Sequence, residues 1–374
     1  LASPVICASV SPGEIRVAVV ADGALVDYAL WRPGASDGFG DTYVGRVVAR
    51  VPALAGCFVT LGDGPDGFLP DTAGGRAGSA GQMLAVEVTR SAQGGKGPRL
   101  ATTSLGTSTP EGKPRLLNRG LDPLRTMAAR YPDAQIELDD PTLRPGLSAD
   151  LGARLRLVKT AFSPEIAEQV AALSDASVHL AGGAALHIEP TRALTAIDVD
   201  AGAMSAARTE KSAAQVALNH ALIPALARQI RLRNLSGAIV IDLAGMPARR
   251  RSALAPALEA ALAADPLRPR LLGFTALGFA EIVRPRQRPP LHEVLATPLS
   301  AGLAALRAAL AQPGTEGLCL RAAPAVIAAL EAEATGLAAL SHRRTYPLVL
   351  QRDPALRGHE WFLEQHHANC VRSA

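Results

Sequence analysis

Aromatic side chains are scarce in this chain: seven Phe, four Tyr and two Trp among 374 residues. Each well-placed ring therefore carries information. Lysine is nearly missing too, since Lys96, Lys113, Lys159 and Lys211 are the only ones among 38 basic residues and the rest are arginine. Arginine is the better planar ligand for phosphate, although such a bias also arises from genome composition. Four cysteines (Cys7, Cys57, Cys319 and Cys370) lie far apart with no CxxC pair, which argues against a disulfide scaffold or a zinc finger. No apolar run approaches the roughly 18 residues that a membrane span needs. A basic segment leading into an apolar one is also missing at the N-terminus, so no secretory leader is expected. The chain opens on Leu1 rather than Met, which reads as a trimmed or non-standard start. A cytoplasmic location is the expectation.

What is present describes a globular protein, with 48% hydrophobic and 19% charged residues and length enough for two or three cores. The formal net charge of +4 is unevenly spread. Between Arg228 and Arg288 there are eleven arginines against Asp242, Glu259, Asp265 and Glu281. That surplus fits a polyanion partner, and it fits a solvated arginine-rich face equally well.

Residues 4–32 read as two strands joined at Ala21-Asp22-Gly23. Five short strands follow at Tyr43–Val51, Gly56–Leu61, Gly67–Pro70, Met83–Val88 and Leu100–Ser104, separated by glycine-rich turns. That pattern predicts a small barrel such as an OB-fold. Residues 105–120 read as a linker, and helices are expected at 121–131, 149–158 and 163–173. Strands are expected at Ser177–Leu180, Ala185–Pro190, Thr195–Val199, Ala238–Leu243 and Phe279–Val283. Among them lie a long helix over 205–233, interrupted by Pro224, and another over 252–264. Two more helices (301–311 and 322–333) and a strand at Tyr346–Gln351 read as a small terminal domain. The alternation gives α/β or α+β.

Gly62-Asp63-Gly64-Pro65-Asp66-Gly67 matches GxGxxG, but a dinucleotide site needs a helix to open there. Pro65 and the strand after it predict a hairpin turn instead. In Ile197-Asp198-Val199-Asp200 both aspartates face one side of an extended segment. A buried run, Ala238–Ile241, later ends in Asp242. Carboxylates gathered at adjacent strand ends suit a hard cation such as Mg²⁺. The plainer alternative is that Asp198 and Asp242 pair with arginines or cap turns. Phe58 and Phe68, with Lys96 in a glycine-rich loop, could stack bases and hold a backbone, as OB-folds do. The plainer reading puts both rings in the barrel core. His359, His366, His367 and Cys370 fit no zinc spacing and read as a tail cluster.

Together these landmarks resemble the bacterial ribonuclease E/G family. Ala193–Asp200 is similar to its catalytic strand, which usually reads ALTTIDVN. Ala227–Gly237 with Ile239–Asp242 resembles its ARQLRLRNLGGIIIIDF segment, and Leu277–Arg284 resembles LGLVEMTR. Asp41–Arg46 and Gly67–Pro70 match its RNA-binding barrel. The resemblance implies an α+β multidomain fold: an RNase H-like scaffold (1–37 and 109–190), an inserted OB-fold (38–108), a DNase I-like catalytic domain (191–298) and a small C-terminal α+β domain (299–374). It implies Mg²⁺ on Asp198 and Asp242, with Asp200 as a further candidate ligand. Single-stranded RNA would lie on Phe58, Phe68, Lys96, Arg284 and Arg286. The implied activity is endoribonucleolytic, leaving 5′-phosphate and 3′-hydroxyl ends.

The departures are specific. Asp200 replaces an asparagine, and Gly245 stands where the family has a second aspartate. The stretch before residue 121 is too short for the family's sensor of 5′-monophosphorylated ends, so cleavage indifferent to a 5′-monophosphate is expected. Leu295-Ala296-Thr297-Pro298 takes the place of CPxC, so a zinc-linked dimer is not expected. A degenerate relative that binds RNA without cutting it is the alternative.

Overall fold

The β-branched run at the N-terminus forms three strands rather than two, Val5–Ser11, Glu14–Ala21 and Ala24–Trp31. An extra turn through Gly13, at φ 76°, divides the first expected strand. The computed structural model describes residues 3–62, 64–104, 112–202, 211–312 and 317–365. The described residues fall into two units, one within 1–36, 121–170 and 292–374 and the other within 37–120 and 171–291.

In the first unit the sheet order is Leu155–Leu157, Gln135–Leu138, Val5–Ser11, Glu14–Ala21, Ala24–Trp31. The first three strands run parallel and Glu14–Ala21 runs against its neighbours. Ile6, Val17, Val19 and Ile136 form its core with Leu124 and Met127 of the helix Pro123–Arg130. Asp122 caps that helix by accepting from the Arg125 N–H. The helix expected at 149–158 lies earlier, at Arg144–Leu151, and the strand Leu155–Leu157 follows it. Arg154 explains the break, because its guanidinium donates to the carbonyls of Ala128, Tyr131 and Ala134.

The C-terminal part of this unit is a three-stranded sheet of Leu348–Arg352, Leu318–Ala322 and Trp361–Gln365. The helices Pro298–Ala311 and Pro324–Glu333 pack on it. Neither the strands Leu318–Ala322 and Trp361–Gln365 nor the helix Thr335–Arg343 is expected from the sequence. The segment Leu295-Ala296-Thr297-Pro298 starts a helix here: the Thr297 side chain accepts from the Ser300 N–H, and Pro298 takes the first turn.

The second unit holds the barrel. Thr42–Val51, Gly56–Thr60, Gly67–Pro70, Arg99–Thr102 and Met83–Arg90 pair in sequence and close back on Thr42–Val51, consistent with an OB-fold. Arg115–Asn118 adds to Thr42–Val51 from outside the ring. The glycine-rich segment after Gly56–Thr60 is a hairpin connection, since the antiparallel strand Gly67–Pro70 follows it directly.

A six-stranded sheet completes the unit, in the order Ser177–His179, Ala185–Pro190, Leu194–Asp200, Gly237–Asp242, Ala280–Arg284, Arg270–Phe274. The helix Lys211–Leu232 connects the parallel strands Leu194–Asp200 and Gly237–Asp242 and continues through Pro224; residues 205–210 of the expected longer helix lie outside the described residues. Leu218, Leu222, Leu226 and Ile230 from this helix pack with Leu254, Leu258 and Leu262 on Ile197, Val199, Ile239 and Ile241. Among the described residues, no single helix is long and apolar enough to cross a membrane. Leu226 is 2% exposed at the centre of this core. Leu226→Ala should therefore lose about 2–5 kcal/mol of stability, read by urea denaturation.

Candidate functional site

Parallel pairing sets Asp198 directly opposite Asp242. Alternation then separates the faces. Ile197, Val199, Ile239 and Ile241 point into the helix-covered core, so Asp198 and Asp242 point the other way. The two carboxylates stand on neighbouring strands, whose axes lie about 4.8 Å apart, near the carboxyl ends of both. Open α/β sheets commonly bind ligands beyond such ends.

On its other side Asp198 pairs with His187, and His187 pairs with Ser177. The Ser177 hydroxyl lies 2.9 Å from His187 Nδ1. A polar row Ser177–His187–Asp198–Asp242 thus crosses four strands. The sequence reading missed His187 and Ser177. The available signal was a histidine between Leu186 and Ile188, at the outward phase of a strand. Asp200 lies two residues beyond Asp198 on the same face, and its Oδ1 accepts from the Gly202 N–H at 2.9 Å.

Asp242 pairs with an arginine, as the plainer alternative held. Arg251 Nη1 donates to Asp242 Oδ1 at 2.6 Å, while the same guanidinium donates to the carbonyls of Met246 and Gly278. The Asp242 side chain nevertheless stays 44% exposed, which leaves its second oxygen room for another partner. Buried Asn219 fixes the loop after Asp242. Its amide donates to the Ala244 carbonyl at 2.9 Å, and its Oδ1 accepts from the Ala244 N–H at 3.1 Å. Gly245 follows at φ 60°. Neither Asn219 nor Arg251 was singled out from the sequence. Among the described residues, no group of three or more His, Cys, Asp or Glu comes together to hold a metal ion unaided.

On the barrel, Phe58 and Phe68 are cross-strand partners with ring centroids 5.5 Å apart and planes at 63°. Their flanking residues Cys57, Val59 and Leu69 fill the barrel interior, so both rings stand on its outer side, not in the core. Gly56 is needed beneath them, because a Cβ there would meet the Phe68 ring at 2.5 Å and the Leu69 carbonyl at 2.6 Å. Lys96 is exposed in a tight turn closed by its backbone pairing with Gln93.

The arginine block is only partly a surface. Arg284 is 3% exposed and donates to Asp265, Asn234 Oδ1 and the Leu235 carbonyl. This corrects its expected place on an RNA-binding surface, because the guanidinium is spent inside the unit. Arg233 is likewise buried against the carbonyls of Ala172 and Asp175, and burial pulls its pKa below the ordinary arginine value. Arg286, in contrast, is exposed. Of the tail cluster, His366, His367 and Cys370 lie outside the described residues and His359 is exposed.

Residues 151–287 match the profile of the ribonuclease E/G family. The chain is 37% identical over 118 residues to the ribonuclease E of a Nostoc species, covering 31% of this chain and 17% of that protein. It is 33% identical over 132 residues to the ribonuclease G of Escherichia coli K12, covering 35% of this chain and 27% of that protein. For the Haemophilus influenzae ribonuclease G the identity is 36% over 122 residues, 32% of this chain and 25% of the relative. The chain therefore matches about a quarter or less of the length of these relatives.

Replacing Arg284 with methionine would strand the buried Asp265 carboxylate without its cation. A loss of about 3–5 kcal/mol of unfolding free energy is expected, measurable by urea titration.

Proposed function

We propose, from the match of residues 151–287 to the ribonuclease E/G family profile, that the chain is a Mg²⁺-dependent endoribonuclease acting on single-stranded RNA. The register that sets Asp198 beside Asp242 on one sheet face carries this reading. Two carboxylates with open coordination suit Mg²⁺, which keeps several waters and takes the rest of its ligands from phosphate oxygens. Asp198 and Asp242 would hold the ion; Asp200, two residues along the strand, does not gather with them into a three-ligand group among the described residues. Bound there, Mg²⁺ supplies Lewis-acid polarisation of a phosphoryl oxygen and a more acidic water.

The protein's own groups do the positioning. Arg251 and Asn219 lock Asp242 and its loop, so the carboxylate meets its ligand without reorganising. The half-buried His187, tethered by Ser177, flanks Asp198 with a hydrogen-bonding group at the edge of the row. On the barrel, Phe58 and Phe68 offer a platform on which bases stack, with Lys96 in reach of the backbone. By the resemblance stated above, the products would carry 5′-phosphate and 3′-hydroxyl ends, and we place the reaction in the cytoplasm.

The domain reading follows the same lines. The order of the first unit's sheet, with one antiparallel strand second from its edge, supports an RNase H-like scaffold. The bounds 1–37 and 109–190 expected from the sequence need trimming, because Arg115–Asn118 pairs with the barrel and Ser177–His179 and Ala185–Pro190 join the six-stranded sheet. The barrel supports the OB-fold assigned to 38–108, and the six-stranded sheet is the basis for a DNase I-like domain, which then begins before the 191–298 expected from the sequence, at Ser177–His179. We assign 299–374 to a small C-terminal domain, built on the sheet of Leu348–Arg352, Leu318–Ala322 and Trp361–Gln365.

One observation favours the adaptor alternative: Arg251 already neutralises one oxygen of Asp242. The deciding experiment is cleavage of a labelled single-stranded RNA with Mg²⁺, by the wild type and by Asp242→Asn. The wild type should cut, and the variant should be slower by about a hundredfold or more, roughly 2.7 kcal/mol of barrier. RNA binding without cleavage by either protein would sink the nuclease reading and leave the adaptor.

A further inference from the structure

The cross-strand register of the barrel extends the aromatic pair into a row of guanidiniums. Phe58 pairs with Phe68, Phe68 with Arg99 and Arg99 with Arg90. Four adjacent strands therefore place two rings and then two arginines side by side. Just beyond Arg90 the chain meets the segment that carries Arg286. The Ser91 N–H donates to the Gln287 carbonyl at 2.7 Å, and the Gln93 side-chain amide donates to that same oxygen. Arg286 itself lies flat on the backbone at Gly237, where a Cβ would collide with its guanidinium.

None of Arg90, Arg99 and Arg286 forms an ion pair with a carboxylate among the described residues. Arg90 Nε is buried without a hydrogen-bond acceptor, and so is the hydroxyl of neighbouring Ser91. Burial first, and then the charges of Arg99 and Arg286, pull the Arg90 pKa below the ordinary arginine value. Like charges held this close, with a donor left unsatisfied, call for an anion that the protein does not supply.

We propose that Arg90, Arg99 and Arg286 form a clamp for a backbone phosphate of the RNA strand whose bases stack on Phe58 and Phe68. This rests on the reading of the chain as a binder of single-stranded RNA. A phosphodiester satisfies the geometry because adjacent nucleotides present a base face and a phosphate to neighbouring strands of one barrel surface. Arg286 follows Arg284, which pairs with Gly237 at the start of the strand that ends in Asp242. Five residue steps of about 3.3 Å put the clamp roughly 17 Å from the carboxylate row. The clamp is thus a binding site several nucleotides away from the scissile bond, and the three arginines are positioning residues.

The test is fluorescence anisotropy of a labelled oligouridine in EDTA, titrated across a range of salt concentrations. Compared with wild type are Arg90→Gln, Arg99→Gln, Arg286→Gln and Phe58→Ala, each checked for folding by thermal melting. Each arginine variant should lower the slope of log K against log salt by about 0.7, which weakens binding about fivefold at 0.1 M salt. Phe58→Ala should weaken binding at unchanged slope. Arg99 is exposed, so Arg99→Gln reports on the clamp even if Arg90→Gln or Arg286→Gln disturbs packing. Wild-type affinity and slope in Arg99→Gln, alongside weakened Phe58→Ala, overturn the clamp and leave RNA binding standing. No salt-dependent binding by the wild type overturns both.

Discussion

Everything at the candidate site depends on one register, the parallel pairing of Leu194–Asp200 with Gly237–Asp242. A slip of one residue would turn either aspartate into the helix-covered core and bring an isoleucine out in its place. The core resists that slip. Ile197, Ile239 and Ile241 are essentially inaccessible, and moving them to the open face would forfeit the burial that holds the sheet to its helices. Packing on one side of the sheet therefore fixes the chemistry on the other.

The same separation of faces explains why arginine number is a poor measure of basic surface. The block between Arg228 and Arg288 looks like a polyanion footprint, yet Arg233, Arg251 and Arg284 each close internal contacts. Arginine suits this work, since its planar fork can satisfy several carbonyl or carboxylate oxygens at once. Charge in excess of internal partners concentrates elsewhere, where the barrel presents Arg90 and Arg99 next to Arg286.

Local patterns were readable in the sequence, and long-range placements were not. The five barrel strands and the strands carrying Asp198 and Asp242 follow from β-branched runs between glycine turns, and they lie within a few residues of their expected positions. The strand Leu155–Leu157 was read as helix because its identity comes from pairing with Gln135–Leu138 and from Arg154 reaching back to earlier carbonyls. Arg270–Phe274 is short, interrupted at Gly273 and weakly alternating, so periodicity could not mark it. Asn219 and Arg251 belong to the site only through a loop that folds onto them. Arg284 was misplaced for the converse reason, since its partner Asp265 is brought near only by the tertiary fold.

The first sheet also sets a timetable for synthesis. Val5–Ser11 has Gln135–Leu138 as its second neighbour, a partner that emerges from the ribosome only after the entire barrel. At about 5–20 residues per second the wait is on the order of ten seconds. Until then the nascent hairpin carries an apolar strand with one open edge, a template for unwanted pairing. The barrel, whose ring strands all lie between Thr42 and Thr102, can close during that interval. The strand Val5–Ser11 is thus most open to mispairing in the interval before Gln135–Leu138 has been made.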